Sequence, residues 1–140
     1  MTKQNYANHR RLHPPFHYVL PVVSLALFVT NIVYAVKEGF SLPVVIMLLT
    51  FVYLITLSFV IRSYPLKAQD RAIRAEENFR HYVLTGQTLD SRLTLHQILA
   101  LRFASDAEFA ELCKKAVSEN LSPNDIKKAI KDWKGDYYRV

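Results

Sequence analysis

"FHYVLPVVSLALFVTNIVYAV" (16–36), "KEGFS" (37–41) and "LPVVIMLLTFVYLITLSFVI" (42–61) decide the fold of this chain. The first run has twenty-one residues and the last has twenty, and neither holds an Asp, Glu, Lys or Arg. At about 1.5 Å per residue, either run made helical reaches ~30 Å, the depth of a bilayer's hydrocarbon core. Two such runs in 140 residues are poorly explained as buried helices of a small soluble core. They are expected to form a transmembrane helical hairpin. Gly39 can stop the first helix, and Pro43 sits near the first turn of the second, where its missing N–H is harmless. The first run is too long for a typical signal core, and a second run follows at once, so it reads as a retained span.

Basic residues set the expected orientation. Lys3, Arg10 and Arg11 precede the spans, and Arg62, Lys67, Arg71, Arg74 and Arg80 follow them. The linker holds Lys37 and Glu38, which cancel. The formal charge of +6 divides into +3, 0 and +3, a split that suits an anionic inner leaflet, so both termini are expected in the cytoplasm. That charge is too small to suggest nucleic acid.

The polar residues of the spans are expected to join helices. Asn31 is the costliest to leave unsatisfied in lipid, and Thr50, Tyr53 and Thr56 recur every three residues along one stripe. No ionisable residue lies deep in either span, which argues against a pump or proton relay. A self-assembling channel lined by that stripe is the alternative.

His9, His13 and His17 are spaced by four, as metal or haem ligands on one helical face would be. Pro14 and Pro15 break that helix in its middle, and the second span offers no opposing histidine. His17, between Phe16 and Tyr18, is expected to anchor at the headgroup level, and His9 and His17 to touch lipid or a partner. No cofactor or metal is expected, with a haem- or metal-binding protein as the remaining alternative.

The expected domains are an N-terminal segment (1–15), the hairpin (16–61), a juxtamembrane helix (62–86) and a small cytoplasmic helical domain (87–140). Pro65 is expected to kink the juxtamembrane helix, which reads as exposed and steadied by Asp70–Arg74 and Glu76–Arg80 pairs. Three helix starts follow. Thr94 with Gln97, Ser105 with Glu108, and Ser122 with Pro123 and Asp125 each carry capping chemistry ahead of an apolar face. Leu93 can staple onto Ile98, and Leu121 onto Ile126. The faces are Leu95, Ile98 and Leu99; then Phe109, Leu112, Cys113, Ala116 and Val117; then Ile126, Ile130 and Trp133. Such a bundle is marginal alone and is expected to lean on the membrane helices, a second copy or a partner. Lys127, Lys128, Lys131 and Lys134 are expected on the solvent side of the last helix. Lys127, Lys131, Trp133, Tyr137, Tyr138 and Arg139 are the candidate surface for a protein partner or anionic lipid.

Catalytic patterns are missing from the sequence. The three glycines are not neighbours, no serine sits in a nucleophile elbow, and the single Cys113 falls on an apolar face. The expected class is all-α, and the expected role is a non-enzymatic accessory, scaffolding or regulatory subunit of an inner-membrane assembly. "NHRRLHPPFH" (8–17), "YPLKAQDRAIRAEE" (64–77), "LTLHQILALRFASD" (93–106) and "NLSPNDIKKAIKDWKGDYYRV" (120–140) resemble a family of short bacterial membrane proteins known as a domain of unknown function. The resemblance implies two spans with a cytoplasmic helical tail, and it implies no activity.

Overall fold

A computed structural model describes residues 4–9 and 12–137. All named elements among them are helical. A π-type turn over Pro15–Val19 leads into α1 (Leu20–Glu38), followed by α2 (Leu42–Thr85), α3 (Leu95–Leu101), α4 (Asp106–Ser118) and α5 (Pro123–Ala129). Pro21 brings no N–H to the ladder, and the turn before it widens, with Leu20 N–H donating to the Pro15 carbonyl. The chain divides into two compact units: Met1–Arg10 with Leu66–Val140, and Arg11–Pro65.

The second unit is the hairpin. Gly39 turns the chain at φ +67°, a conformation open to glycine and unfavourable for other residues. Phe28 of α1 meets Phe51 of α2 at 5.9 Å between ring centroids. Pro15–Glu38 and Leu42–Thr85 are long and apolar enough to cross a membrane, and only 6% of the most apolar window of each is buried by protein.

The expected juxtamembrane helix is not a separate element. Helix α2 runs 44 residues without interruption and carries Pro65 inside it. A proline there removes one backbone hydrogen bond, whereas long helix-forming stretches on both sides keep theirs. Its position is nonetheless marked, because the two units divide immediately after Pro65.

In the other unit, α3, α4 and α5 close around Leu101, Phe103, Phe109 and Ile126, each almost wholly buried. Thr94 and Gln97 form a complete capping box, and Gln97 also donates to the Leu121 carbonyl at 2.9 Å. Ser122 accepts from Asp125 N–H. At Ser105 the hydroxyl makes no cap bond, so this start relies on Asp106 and Glu108 in the first turn. The residues read as staples join the core: Leu93 and Ile98 are both buried, and Leu121 lies against the cluster that holds Ile126.

Helix α5 is shorter than the sequence suggested. It stops at Ala129, and Ile130 turns extended. The chain then pairs with residues 103–105: Ser105 N–H donates to Asp132 at 3.0 Å and Lys134 N–H to Phe103 at 2.7 Å. The Glu108 carboxylate accepts from the N–H groups of Lys131 and Asp132, which a longer helix would have bonded internally. Lys131 and Lys134 therefore lie beyond the helix, and Trp133 is buried in the core rather than displayed at the surface.

Candidate functional site

Two polar constellations join distant parts of the sequence within the tail unit. The first centres on Arg80. The expected Glu76–Arg80 pair is replaced by Glu77, which is buried and not on an exposed face as its neighbours suggested. Arg80 Nη1 donates to Glu77 at 2.9 Å, Nε to Asp106 at 2.7 Å, and Nη2 to the Ala104 carbonyl at 2.7 Å. Its guanidinium also lies 4.2 Å from the centre of the Phe109 ring. One side chain thus fastens α2 to the first turn of α4 and to the loop before it. His81, the next residue, is buried against Phe109, and its Nδ1 lies 2.7 Å from the Gln87 carbonyl.

Cys113 lies in the same core. Burial pushes its thiol up from 9.0 to about 12; the Glu77 carboxylate adds to the rise, and Arg80 opposes it. The fold favours the protonated thiol, a contribution fully present below 9.0 and lost as pH rises toward about 12. Cys113→Ala should remove that share of the alkaline loss of stability. At neutral pH the same shift cuts the thiolate fraction by about a thousandfold. Iodoacetamide should therefore modify the folded chain at least about a thousandfold more slowly than the urea-unfolded chain, as mass spectrometry over time would measure.

The second constellation ties the N-terminal segment to the helical tail. Tyr6 donates its hydroxyl to Asn124 at 2.8 Å. Gln4 accepts from Asp136 N–H at 2.8 Å. The His9 ring stands 5.7 Å from Trp133 and 5.8 Å from Phe103, between centroids. Its Nδ1 lies 2.7 Å from the Tyr6 carbonyl, an acceptor, so this nitrogen is the donor. Nε2 lies 3.4 Å from Lys127 Nζ. His9, Lys127 and Trp133, expected to await a partner, are brought together as contacts within the chain.

The remaining expected site residues are scattered. His17 belongs to the hairpin unit, where its Nδ1 accepts from His13 N–H at 3.0 Å and its ring meets Phe16. Arg62 stacks over the Phe16 ring at 5.3 Å. Asn31 is buried, but its amide donates to Leu27 of its own helix at 2.8 Å. Thr50, Tyr53 and Thr56 are exposed, and the Thr56 hydroxyl donates to Val52 one turn back at 2.9 Å. Thr56 is thus satisfied by its own helix and bridges to no other among the described residues. Lys131 and Tyr137 are exposed, while Tyr138 and Arg139 lie outside the described residues.

Among the described residues no group of three or more His, Cys, Asp or Glu side chains could hold a metal ion. Both constellations join elements that lie far apart in the sequence. No curated protein and no solved structure matches the chain. The sequence model of a family of unknown function, DUF6526, matches residues 1–140, and the chain belongs to that family.

Proposed function

We propose that the chain is a non-enzymatic integral membrane protein of the bacterial inner membrane, whose cytoplasmic tail serves as an accessory, scaffolding or regulatory element of a larger assembly. The observation that carries this reading is the apolar surface of the two long helices. Val22, Leu25, Leu49 and Phe59 are each more than 60% exposed, on helices whose apolar windows are 6% buried. A core helix of a soluble domain buries such residues, and apolar surface on this scale demands a cover. A bilayer supplies one. The hydroxyls of Thr30, Thr56 and Ser58 each bond a carbonyl four residues back, as a helix facing lipid requires.

The contacts of Gln4, Tyr6 and His9 with the tail support placing both ends of the chain on one side of the membrane, in agreement with the basic flanks. The tail brings side chains that interlock distant segments, Arg80 with Asp106 and Tyr6 with Asn124, and these support a role in assembly. Alkaline carbonate washing of membranes that contain the full chain should leave it in the pellet, with release only by detergent. Release by carbonate alone would overturn the membrane reading. Purification in mild detergent, followed by mass spectrometry, should then find a stoichiometric companion. A homo-oligomer without one would overturn the accessory role and favour a channel built from several hairpins.

A further inference from the structure

The loop between α2 and α3 folds back along α2 and leaves a cleft of about 510 Å³, within the range of small-molecule sites (about 300–1,000 Å³). Gly86 makes the turn at φ +74°, and Leu89 N–H, donating to Asn78 Oδ1 at 2.9 Å, pins the loop to the helix. Arg71, Arg74 and Asn78 line the helix side at spacings of three and four, which puts them on one face. Thr88 and Ser91 line the loop side.

The chemistry of this lining is one-sided. Asp90 is the one carboxylate among the lining residues, and it is taken: Arg92 Nη2 reaches it at 2.6 Å and Arg92 Nε at 3.0 Å. That guanidinium holds the Asp90 carboxyl down to about 2, so it stays ionised and paired. Asn78 spends its oxygen on Leu89, which leaves its amide N–H group for the cleft. Arg71 and Arg74 make no ion pair among the described residues, and the Arg74–Asp70 pair suggested by the sequence does not form. What remains toward the cleft is two guanidinium groups, an amide donor and two hydroxyls.

We infer that the cleft between Arg71, Arg74 and Asn78 of α2 and Thr88 and Ser91 of the following loop binds a phosphate group, from a free phosphate compound or from a lipid headgroup. A planar guanidinium offers paired N–H donors matched to phosphate oxygens, and two of them on one helical face supply the charge. This site goes beyond the accessory role proposed above, and its binding does not rest on membrane insertion.

The test follows the melting temperature of the full chain under two conditions. In neutral detergent, inorganic phosphate is titrated against chloride at matched ionic strength. In nanodiscs, phosphatidylcholine alone is compared with phosphatidylcholine plus phosphatidylglycerol. A bound ligand raises the melting temperature, whereas phosphate excluded from the surface stabilises every variant alike. The Arg71→Gln/Arg74→Gln pair removes exposed side chains, and Asn78→Asp keeps the acceptor for Leu89 while replacing the amide donor with a negative charge. A rise with inorganic phosphate that both variants abolish assigns a free phosphate compound. A rise confined to phosphatidylglycerol and abolished in the same way assigns a lipid headgroup. For either source, loss of both arginines should weaken binding at least about tenfold. No rise under either condition, or an equal rise in the variants, overturns the inference.

Discussion

Arg80→Ala should destabilise the helical tail by about 3–5 kcal/mol, the range for removing one partner of a buried ion pair. The loss exceeds that of a surface salt bridge because of what stays behind. Glu77 keeps its carboxylate in a position 10% exposed, and the Ala104 carbonyl loses its donor. Asp106, 66% exposed, is rehydrated and contributes little. The Phe109 ring loses the cation over its face, worth roughly 1 kcal/mol more. Arg80→Lys separates charge from geometry: one ammonium cannot reach Glu77, Asp106 and the carbonyl in a fixed fork, so this variant should fall between wild type and alanine. Restoring neutrality should recover part of the loss, and Glu77→Gln added to Arg80→Ala should be more stable than Arg80→Ala alone. The single Trp133, buried in the core of the same unit, gives a fluorescence signal for urea titration of the detergent-solubilised chain. A loss below about 1 kcal/mol would show that the node is decoration on a fold held elsewhere.

The features legible in the sequence are those set by neighbours along the chain. The charge-free runs before and after "KEGFS" are local, and they announce the two apolar helices without any knowledge of contacts. Thr94–Gln97 and Ser122–Asp125 are three residues apart, so their caps can be read directly, and α3 and α5 start where they indicate. The misreadings arose where a distant group prevailed. Glu76 and Glu77 look alike in sequence, yet a rotation of about 100° between successive helical residues turns Glu77 alone toward the core. Its burial depends on Arg80, whose other partner, Asp106, is 26 residues away. Helix α5 stops early because residues 132–134 find carbonyl and N–H partners at residues 103–105, which no local pattern announces. His9 is the clearest case. Its spacing to His13 and His17 invited a reading along the N-terminal segment, whereas its contact with Lys127 spans 118 residues. The signal available was compositional: an imidazole near Tyr6 in a polar segment, and a tryptophan in the tail without enough helix to bury it.

Trp133→Ala should cost about 3–5 kcal/mol and also loosen the N-terminal segment, because this one ring serves both. It packs against Phe103 at 5.2 Å and against His9 at 5.7 Å, and the three rings meet mutually because His9 also lies 5.8 Å from Phe103. Truncation leaves a cavity next to Phe103 and withdraws one of the two aromatic rings on which His9 rests. His9→Ala removes the imidazole's contacts with Trp133 and Phe103 but leaves the Trp133–Phe103 packing in place, and its cost should stay near 1 kcal/mol, the scale of an aromatic pair beyond its buried area. The two variants therefore predict a specific non-additivity. In the Trp133→Ala background, His9→Ala should cost less than it does in the wild type, with a coupling of about 0.5–1.5 kcal/mol. Far-ultraviolet circular dichroism in urea reports the stability without needing the tryptophan, and limited proteolysis at residues 4–9 reports the segment. Trp133→Phe should retain most of the stability and slow cleavage relative to Trp133→Ala, since a smaller ring still meets both neighbours. Additive costs, with unchanged cleavage in Trp133→Ala, would mean that the segment is held without this ring, by Tyr6–Asn124, Gln4–Asp136 and the contacts of His9 with Phe103 and Lys127. The link between the N-terminal segment and the tail would then not depend on the tryptophan.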